Sequence, residues 1–549
     1  MSSDATRRRR HRGALVALVA LVLVASPCLA AAQTTTTTSA TTTTTSSGAS
    51  ATWLSPNGER SSAVIAQNQL PGTASWRISP HDVPTAIEGF ANLTAAQPGQ
   101  TVKFYVTTRA KHFRVVAYRM GWYEGLGARS VWTSPIEAGR VQPGCSVAGT
   151  TNMVSCANWD VSLTMPISTA FFPGDYLIKL TAGGRVQSYV PLTVWDPLSR
   201  ATYVIVNRSF VEQGWNTFGG YSFYEGRGPC ILDTMSYPVC NRARVVSFDR
   251  PYDTGDGAAD FLTNEYPLVE FCERLGLDVT YVTDVTLSEH PNLLLNHKVM
   301  LSLDHDESWS YAERMAAVNA VAKGVNIVYF GAAAMVRHVR PEPSPLGPER
   351  ELVDYRDGAE DPLSGIAGPM QVTGNTWSSP PSDWPPTAQI GEQYSGYLDP
   401  GVTVPMVVAD ASSWVFRGTG LANGSMMPGV IGSDFDHAIS STLTPSNLEI
   451  LAHSPINGSL AAVSGQTWAG GTYSDMVYFT NPNSHAGVLD TGNNIWIADL
   501  RACTGGTPDC AAPILRKITS NILWLFAQGP AGYLEPSVSN AAQILPLGS

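Results

Sequence analysis

The sequence has few charged side chains and lacks the common hydrolase and nucleotide-binding motifs. Charged residues make up 14% of the 549 residues, and the formal net charge is −11. This negative balance disfavours nucleic acid and anionic membranes as main partners. No Gly-x-Ser-x-Gly elbow, Walker loop, HExxH or dinucleotide fingerprint stands in a usable context, and no fixed-period repeat is present. What the sequence does contain is ample apolar content, 44%, for globular domains with sizeable cores.

Cysteine is also scarce. The chain has eight cysteines, and no two have the CxxC spacing of zinc or redox sites. Six of them form three pairs that are close in sequence. In an exported chain, such pairs predict local disulfides. These pairs are Cys145 with Cys156, Cys230 with Cys240, and Cys503 with Cys510. Cys272 lies in an apolar helical pattern, so we predict a buried free thiol rather than a nucleophile, because apolar surroundings raise a thiol pKa.

The N-terminus is typical of a secretory signal. A basic stretch, residues 7–12, precedes the apolar run Ala14–Ala25, which is too short to span a membrane comfortably, and small residues follow it. An uncleaved anchor is the alternative. Residues 33–50 are almost entirely Thr and Ser and cannot bury a core. We therefore predict a signal peptide at 1–32, a disordered linker at 33–50, and a secreted or cell-surface protein.

Two domains are expected in the remainder. In residues 51–197, apolar or alternating runs separated by turn residues predict an all-β sandwich. These runs are Thr101–Val106, Phe113–Tyr118, Tyr176–Leu180 and Tyr189–Val194. In residues 198–549, apolar strands alternate with helical patterns, which predicts a doubly wound α/β domain.

The segment Lys298–Arg340 carries the clearest functional signal. An apolar run, a polar loop, a helical pattern, a glycine and a second apolar run together predict a βαβ unit with parallel strands. Ligand crevices in open α/β sheets lie at the carboxyl ends of strands, so the loop holding His305 and Glu307 is the predicted site. Both side chains project to the same side of an extended segment, close enough to share a proton or a metal. The alternative is that Asp304 and Asp306 cap the next helix and the histidine is structural.

An aromatic and glycine-rich loop, residues 207–226, follows an earlier buried strand and is a candidate pocket wall. Its predicted lining residues are Trp215, Asn216, Tyr221 and Tyr224. Arg337, just past the second strand of the βαβ unit, could bind a ligand carboxylate or phosphate, or pair with an acidic side chain. Asp434 and Asp436 could reach the same crevice or cap a loop.

Several segments, taken together and in order, resemble the C-terminal domain family of the N,N-dimethylformamidase large (beta) subunit. They are NRSFVEQGWNTFGGYSFYEG, VVSFDRPY, FCERLGLDVTYVTD, LDHDESWS, IVYFGAAAMVRHVR, WVFRGTGL and TGNNIW. The turn RMGWYEGLGAR looks like the one that precedes this domain in secreted bacterial members. The resemblance implies an amidohydrolase domain of α/β type, related in fold to glutamine amidotransferases, with a mononuclear iron held by two tyrosines and one glutamate.

The resemblance also implies roles for individual residues. The glutamate of the family's His-x-Glu loop corresponds to Glu307, preceded here by His305, and the tyrosine of the Ser-x-Tyr element corresponds to Tyr224. The second tyrosine falls at Trp215, beside Asn216. Tyr224 and Glu307 are thus the implied metal ligands, and with His305 the implied catalytic centre. A ferric ion on hard oxygen ligands would polarise an amide carbonyl and activate water.

The expected function is an exported hydrolase of amide or related C–N bonds, with a small-molecule amide as its ligand. The alternative is a non-catalytic cell-surface or carbohydrate-binding protein that keeps the fold and binds a glycan. Trp215 favours this alternative because a pocket tryptophan is a stacking surface, whereas His305 and Glu307 favour the enzyme. The sequence leaves open the substrate, iron occupancy, homo-oligomer formation, and a small partner subunit like that of the parent enzyme.

Overall fold

Short strands dominate the computed structural model, which describes residues 59–78, 86–183, 186–232, 238–456, 461–463, 472–501 and 510–545. The predicted signal peptide and linker lie outside these residues. The described residues all belong to one compact unit, residues 52–549. No helix among them is long and apolar enough to cross a membrane.

The helices are short, apart from α7 (Ala512–Ala527) near the C-terminus. They are α1 (Ser62–Asn68), α2 (Ser209–Trp215), α3 (Tyr266–Leu275), α4 (Asp284–Glu289), α5 (Tyr311–Ala322), α6 (Thr387–Ile390), α7 (Ala512–Ala527) and α8 (Ala541–Ile544). The strands before residue 197 are β1 (Ile87–Ala91), β2 (Ala95–Ala96), β3 (Thr101–Thr108), β4 (His112–Met120), β5 (Ala128–Thr133), β6 (Glu137–Ala138), β7 (Ser146–Val147), β8 (Val154–Ser155), β9 (Leu163–Pro166), β10 (Gly174–Ala182) and β11 (Val186–Val194).

The later strands form a larger and more varied set. They are β12 (Tyr203–Asn207), β13 (Gly226–Leu232), β14 (Pro238–Arg242), β15 (Val245–Ser247), β16 (Val279–Thr283), β17 (Val299–Asp304), β18 (Ser308–Ser310), β19 (Asn326–Gly331), β20 (Arg337–Ser344), β21 (Gly347–Val353), β22 (Gln393–Leu398), β23 (Thr403–Val407), β24 (Met426–Gly432), β25 (Asp434–His437), β26 (Glu449–Ile456), β27 (Ala461–Val463), β28 (Thr472–Thr480) and β29 (Gly487–Asp490).

Two sheets built from residues 87–194 share one apolar core. One has the order β1-β3-β9, and the other has the order β2-β11-β10-β4-β5, with β6 beside β4. Strand alternation explains the shared core: Val102, Phe104 and Val106 of β3 are all buried and belong to the same cluster as Ile178 of β10. The alternating runs predicted as strands lie in β3, β4, β10 and β11.

A seven-stranded mixed sheet, in the order β16-β12-β17-β19-β29-β28-β26, carries the rest of the core. The strands from β16 to β29 pair in parallel, and the last two pairs are antiparallel. The predicted βαβ unit is confirmed as β17, α5 and β19. Helix α5 begins at an N-cap, Ser310, whose hydroxyl accepts a hydrogen bond from Glu313 N at 3.1 Å.

The predicted doubly wound α/β class, related to glutamine amidotransferases, is wrong. The structure is mostly strands in many small sheets and only 21% helical. Among the described residues between β19 and β29, α6 is the only α-helix, and small sheets and hairpins fill the place of the expected crossover helices. The physical reason is that short apolar runs mark buried strands but do not show whether helices or further strands cover them.

A buried ion pair joins the N-terminal sheets to α3. Arg119 Nη2 of β4 lies 2.6 Å from Glu273 Oε1, and both side chains are fully buried. The Tyr281 hydroxyl donates to the same oxygen at 2.8 Å, and Asn68 donates to Glu273 Oε2. The carboxylate is therefore compensated by a cation and by two neutral donors from different elements.

The disulfide Cys145–Cys156 is confirmed, and Cys272 is a buried free cysteine as predicted. Burial raises the pKa of this thiol well above its ordinary value, which disfavours a thiolate nucleophile. The predicted pairs Cys230–Cys240 and Cys503–Cys510 involve side chains outside those described.

Replacing Glu273 with alanine should destabilise the fold strongly, because Arg119 would be left buried without its counter-charge. We expect a loss of about 3–5 kcal/mol in the free energy of unfolding, measured by urea denaturation. The matched control is Asp160→Ala, which breaks an ion pair with Arg140 whose side chains are 75% and 51% exposed. That variant should lose less than about 1 kcal/mol. Equal effects in the two variants would contradict the role given to the buried pair.

Candidate functional site

A cavity of about 530 Å³ opens at the carboxyl ends of β17 and β19. This size falls in the range of small-molecule sites, about 300–1,000 Å³. Its floor combines the end of α2, the loop after β17 and the start of β20, while β22 to β25 supply the facing wall. The lining residues are Trp215, Tyr224, His305, Glu307, Ala333, Val336, Arg337, Tyr394, Tyr397, Leu398, Asp399, Pro400, Gly401, Val402, Thr403, Gly432, Ser433, Asp434 and Ile495.

The carboxylate of Glu307 is the centre of the floor. Its Oε1 accepts hydrogen bonds from Trp215 Nε1, at 2.9 Å, and from the Tyr224 hydroxyl. Its Oε2 faces two cationic side chains, with His305 Nε2 at 3.6 Å and Arg337 Nε at 3.8 Å. A buried carboxylate is costly unless it is paired and hydrogen-bonded, and here both kinds of compensation are present.

The loop that presents His305 and Glu307 is fixed by strained backbone and buried polar contacts. Asp304 has φ 48°, a left-handed conformation that costs a non-glycine residue energy. Arg208 pairs with Asp304 at 3.4 Å and donates to the carbonyl of His305 at 3.2 Å. Asp306 accepts a hydrogen bond from Ser302 at 2.7 Å. The aspartates therefore hold the loop, and the helix cap is Ser310 rather than either of them.

The charges around the cavity fix the protonation of the floor. Burial by itself would lower the pKa of His305, but Asp434 and Glu307 raise it to about 9, so the imidazole is cationic at neutral pH. Burial alone would raise the pKa of Glu307, yet His305, Arg337 and the Tyr224 hydrogen bond lower it far below its ordinary value. The floor is therefore an imidazolium beside a carboxylate.

Aromatic packing supports this ion pair. The rings of Trp215 and Tyr224 are stacked, with centroids 3.7 Å apart and planes 10° apart. Arg356 Cζ lies 4.2 Å from the centroid of the Tyr224 ring, and Arg337 Cζ lies 5.8 Å from it. Burial and the negative charge of Glu307 raise the pKa of Tyr224, which keeps the phenol neutral and able to donate.

The structure brings together five of the predicted site residues, Trp215, Tyr224, His305, Glu307 and Arg337. It does not bring Asn216 or Tyr221 to the cavity. The buried Asn216 amide donates to Gln213 Oε1 and Pro251 O, at 2.8 and 2.9 Å, which is a structural role. Tyr221 instead packs near Arg227, whose Cζ lies 5.9 Å from the ring centroid.

The facing wall holds residues that the sequence did not single out. Tyr394 and Tyr397 come from β22, residues 399–402 connect it to β23, and Thr403 begins β23. Asp434 lines the cavity and accepts a hydrogen bond from Asn494 Nδ2 at 3.0 Å, whereas Asp436 is buried and accepts from Ala333 N at 2.9 Å. The sequence placed both aspartates either in the crevice or at a loop cap, and the structure puts Asp434 in the cavity lining and Asp436 outside it.

The family model described as "N,N-dimethylformamidase beta subunit-like, C-terminal" matches residues 114–510, well over half of the chain. The chain belongs to this family. Every residue that lines the cavity lies inside the matched region. The match begins within β4, so it includes most of the sheet that contains β4 but only β9 of the other N-terminal sheet.

No curated protein matches the chain. Among the solved structures that match, two resemble short parts of the chain. One is an uncharacterised protein from Bacillus anthracis str. Ames, with 15% identity over 19% of this chain and 82% of its own, at a TM-score of 0.13. The other is a Paenibacillus sp. cycloisomaltooligosaccharide glucanotransferase solved with cycloisomaltoheptaose, with 15% identity over 22% of this chain and 15% of its own, also at 0.13. These overlaps are too limited to support an argument.

The side chains in this formamidase-like cavity do not fit the iron that the resemblance implies. The implied set is two phenolates and one carboxylate, but Trp215 stands at one tyrosine position, and an indole N–H has no lone pair to give. That N–H donates to Glu307. An iron cation at Glu307 would also face the cationic His305 and Arg337. Among the described residues, no three His, Cys, Asp or Glu side chains are grouped to hold a metal.

The raised pKa of His305 makes the folding stability depend on pH. Its ordinary value is 6.5 and its folded value is about 9, so its contribution is complete below about pH 6.5 and is lost as pH rises through 9. We expect wild type to exceed His305→Gln in unfolding free energy, with the difference shrinking by up to about 3 kcal/mol between about pH 6 and pH 10. Urea titrations of both proteins measure this difference. A constant difference would contradict the ion pair with Glu307.

Iron should be absent from the purified chain. We expect elemental analysis of protein prepared without chelator to find far less than one iron per chain, and the spectrum to lack a tyrosinate-to-iron band. The reason is that Trp215 supplies a hydrogen-bond donor where the implied set needs a phenolate. Iron near one per chain, with a visible band that disappears in Tyr224→Phe, would show that the site binds metal in spite of the tryptophan.

Proposed function

We propose that this chain is a hydrolase of amide or related C–N bonds and that the cavity above Glu307 is its active site. Membership of the formamidase-like family supports an amidase-like identity. The observation that carries the proposal is the pairing of His305 with Glu307 on the floor of a small-molecule cavity. An imidazolium held next to a carboxylate and open to a cavity is suited to give a proton to a departing nitrogen.

Amide hydrolysis requires an activated water molecule and a proton for the amine that leaves. In the proposed mechanism, the Asp434 carboxylate accepts a proton from water as the water oxygen attacks the carbonyl carbon. His305 Nε2 then donates its proton to the amide nitrogen, and the C–N bond breaks to give a carboxylic acid and an amine. The proton on Asp434 returns to His305 through solvent, which restores both groups. Atoms and charges balance without another reactant.

Glu307 and Tyr224 act by holding the proton donor ready. The carboxylate keeps His305 charged and fixes its position, with His305 Nε2 3.6 Å from Glu307 Oε2. The imidazole therefore stays protonated at the cavity, where a substrate nitrogen can accept the proton. Tyr224 and Trp215 both donate to the other carboxylate oxygen, which fixes Glu307 in place beside the imidazole.

Export of the enzyme is part of the proposal. The basic, apolar and small-residue pattern of the first 32 residues supports it. The Cys145–Cys156 disulfide is consistent with an oxidising compartment. The reaction would then take place outside the cytoplasm.

The position of Trp215 gives little support to the binding-only alternative. One face of the indole is stacked on Tyr224, and its N–H is hydrogen-bonded to Glu307. A tryptophan used in this way supports the floor of the site instead of offering an open platform for a sugar ring.

His305→Gln and Asp434→Asn should each lower kcat/KM for amide hydrolysis by about 10²–10⁴, because each removes one proton-transfer group. Wild-type activity should fall as pH rises through about 9, where His305 loses its proton. Release of amine from a panel of simple amides, followed across pH, measures both effects.

The controls are His112→Gln, an exposed histidine in β4, and Asp196→Asn, an exposed aspartate outside the cavity lining, both of which should keep most of the activity. Full activity in His305→Gln would contradict the proposed acid. No hydrolysis of any amide by well-folded wild type, together with measurable ligand binding, would move the conclusion to a binding protein.

A further inference from the structure

We propose that the ligand of this cavity is an amide with a bulky aromatic or apolar substituent and no negative charge, much larger than N,N-dimethylformamide. The proposal rests on the proposed function in treating the cavity as the active site. It assigns the class of substrate, which family membership alone does not.

The size of the cavity is the first argument. At about 530 Å³ it lies well inside the range for drug-sized ligands, about 300–1,000 Å³. A water molecule takes up about 30 Å³ of liquid volume, so a dialkylformamide, only a few times that size, would leave most of the space to water. A small ligand in a large cavity also gains little from burial, because affinity grows with the apolar surface removed from water.

The chemistry of the facing wall is the second argument. Opposite the charged floor, Leu398, Val402 and Ile495 provide apolar surface, and Tyr394 and Tyr397 provide aromatic rings. The two tyrosines are partly exposed, as are Val402 and Ile495, so these surfaces are accessible to a ligand. Aromatic rings prefer stacked or edge-on contacts with other rings, which favours an aromatic substituent on the substrate.

The balance of charge is the third argument. The cations that line the cavity, His305 and Arg337, both face Glu307, whose carboxylate offsets one of their two charges. Asp399 and Asp434 add two further acidic groups, and none of the other described lining residues is basic. The lining therefore holds three acidic groups against two cations, so an anionic substituent would meet a net negative charge.

The test compares binding of three probes to the full chain by calorimetric titration: N,N-dimethylformamide, benzanilide and 4-carboxybenzanilide. We expect benzanilide to bind at least about tenfold more tightly than either of the others. Thr403→Trp, at an exposed position on the cavity wall, should weaken benzanilide at least about tenfold and leave dimethylformamide little changed. Thr442→Trp, also exposed but away from the cavity, should have no effect.

Val402→Trp is a second filling variant in case the first unfolds, and thermal unfolding checks every protein. Equal affinity for the three probes, or no effect of the folded filling variants, would overturn the proposal. Turnover of dimethylformamide without any preference for benzanilide would uphold the hydrolase and reject this substrate class. Tight benzanilide binding without turnover of any amide would uphold this class of ligand and reject the hydrolase.

Discussion

The buried carboxylate of Glu307 is the constraint on which the cavity depends. A charge so far from water must be compensated within the protein, and four side chains from separate elements meet this need. Trp215 ends α2, Tyr224 belongs to the following loop, His305 lies in the same loop as Glu307, and Arg337 opens β20. Because each partner side chain is also held within its own element, the charge of Glu307 brings together elements that are distant in sequence.

The backbone at the ends of β17 and β19, beside Glu307, has little conformational freedom. The parallel strands β17 and β19 approach so closely that a Cβ on Gly331 would lie 1.7 Å from Asp304 O. Asp304 takes a left-handed conformation there, as does Ala333 just past β19, with φ 59°. Strained residues persist where the surroundings over-determine them, and here they turn the chain out of both strands towards the cavity. The buried Arg119–Glu273 pair performs a comparable task farther away, where it holds the N-terminal sheets against α3.

Sequence reasoning succeeded where the signal was local. The βαβ unit follows from apolar periodicity and the glycine before the second strand, and the His-x-Glu spacing identified two residues of the floor, whereas the helix cap proved to be Ser310 and not the predicted aspartates. The fold class and the facing wall could not be obtained in the same way. Tyr394 and Tyr397 follow a proline-rich segment without periodicity, and they reach the cavity only through pairing of β22 with β25 and β27. Whether a strand is covered by helices or by further strands depends on such long-range pairing, which hydrophobic patterns do not encode.

The indole of Trp215, at a position where the resemblance implies a phenol, affects what the carboxylate can bind. A phenolate would add negative charge beside Glu307, and a site rich in anionic oxygen attracts a metal cation. The indole adds a neutral donor instead, and the nearest compensating charges are those of His305 and Arg337. With two cations already in place, Coulomb repulsion opposes entry of a third. One of these cations, His305, is also the proton donor of the proposed reaction, so the indole and the charged floor both fit a proposal that uses no metal.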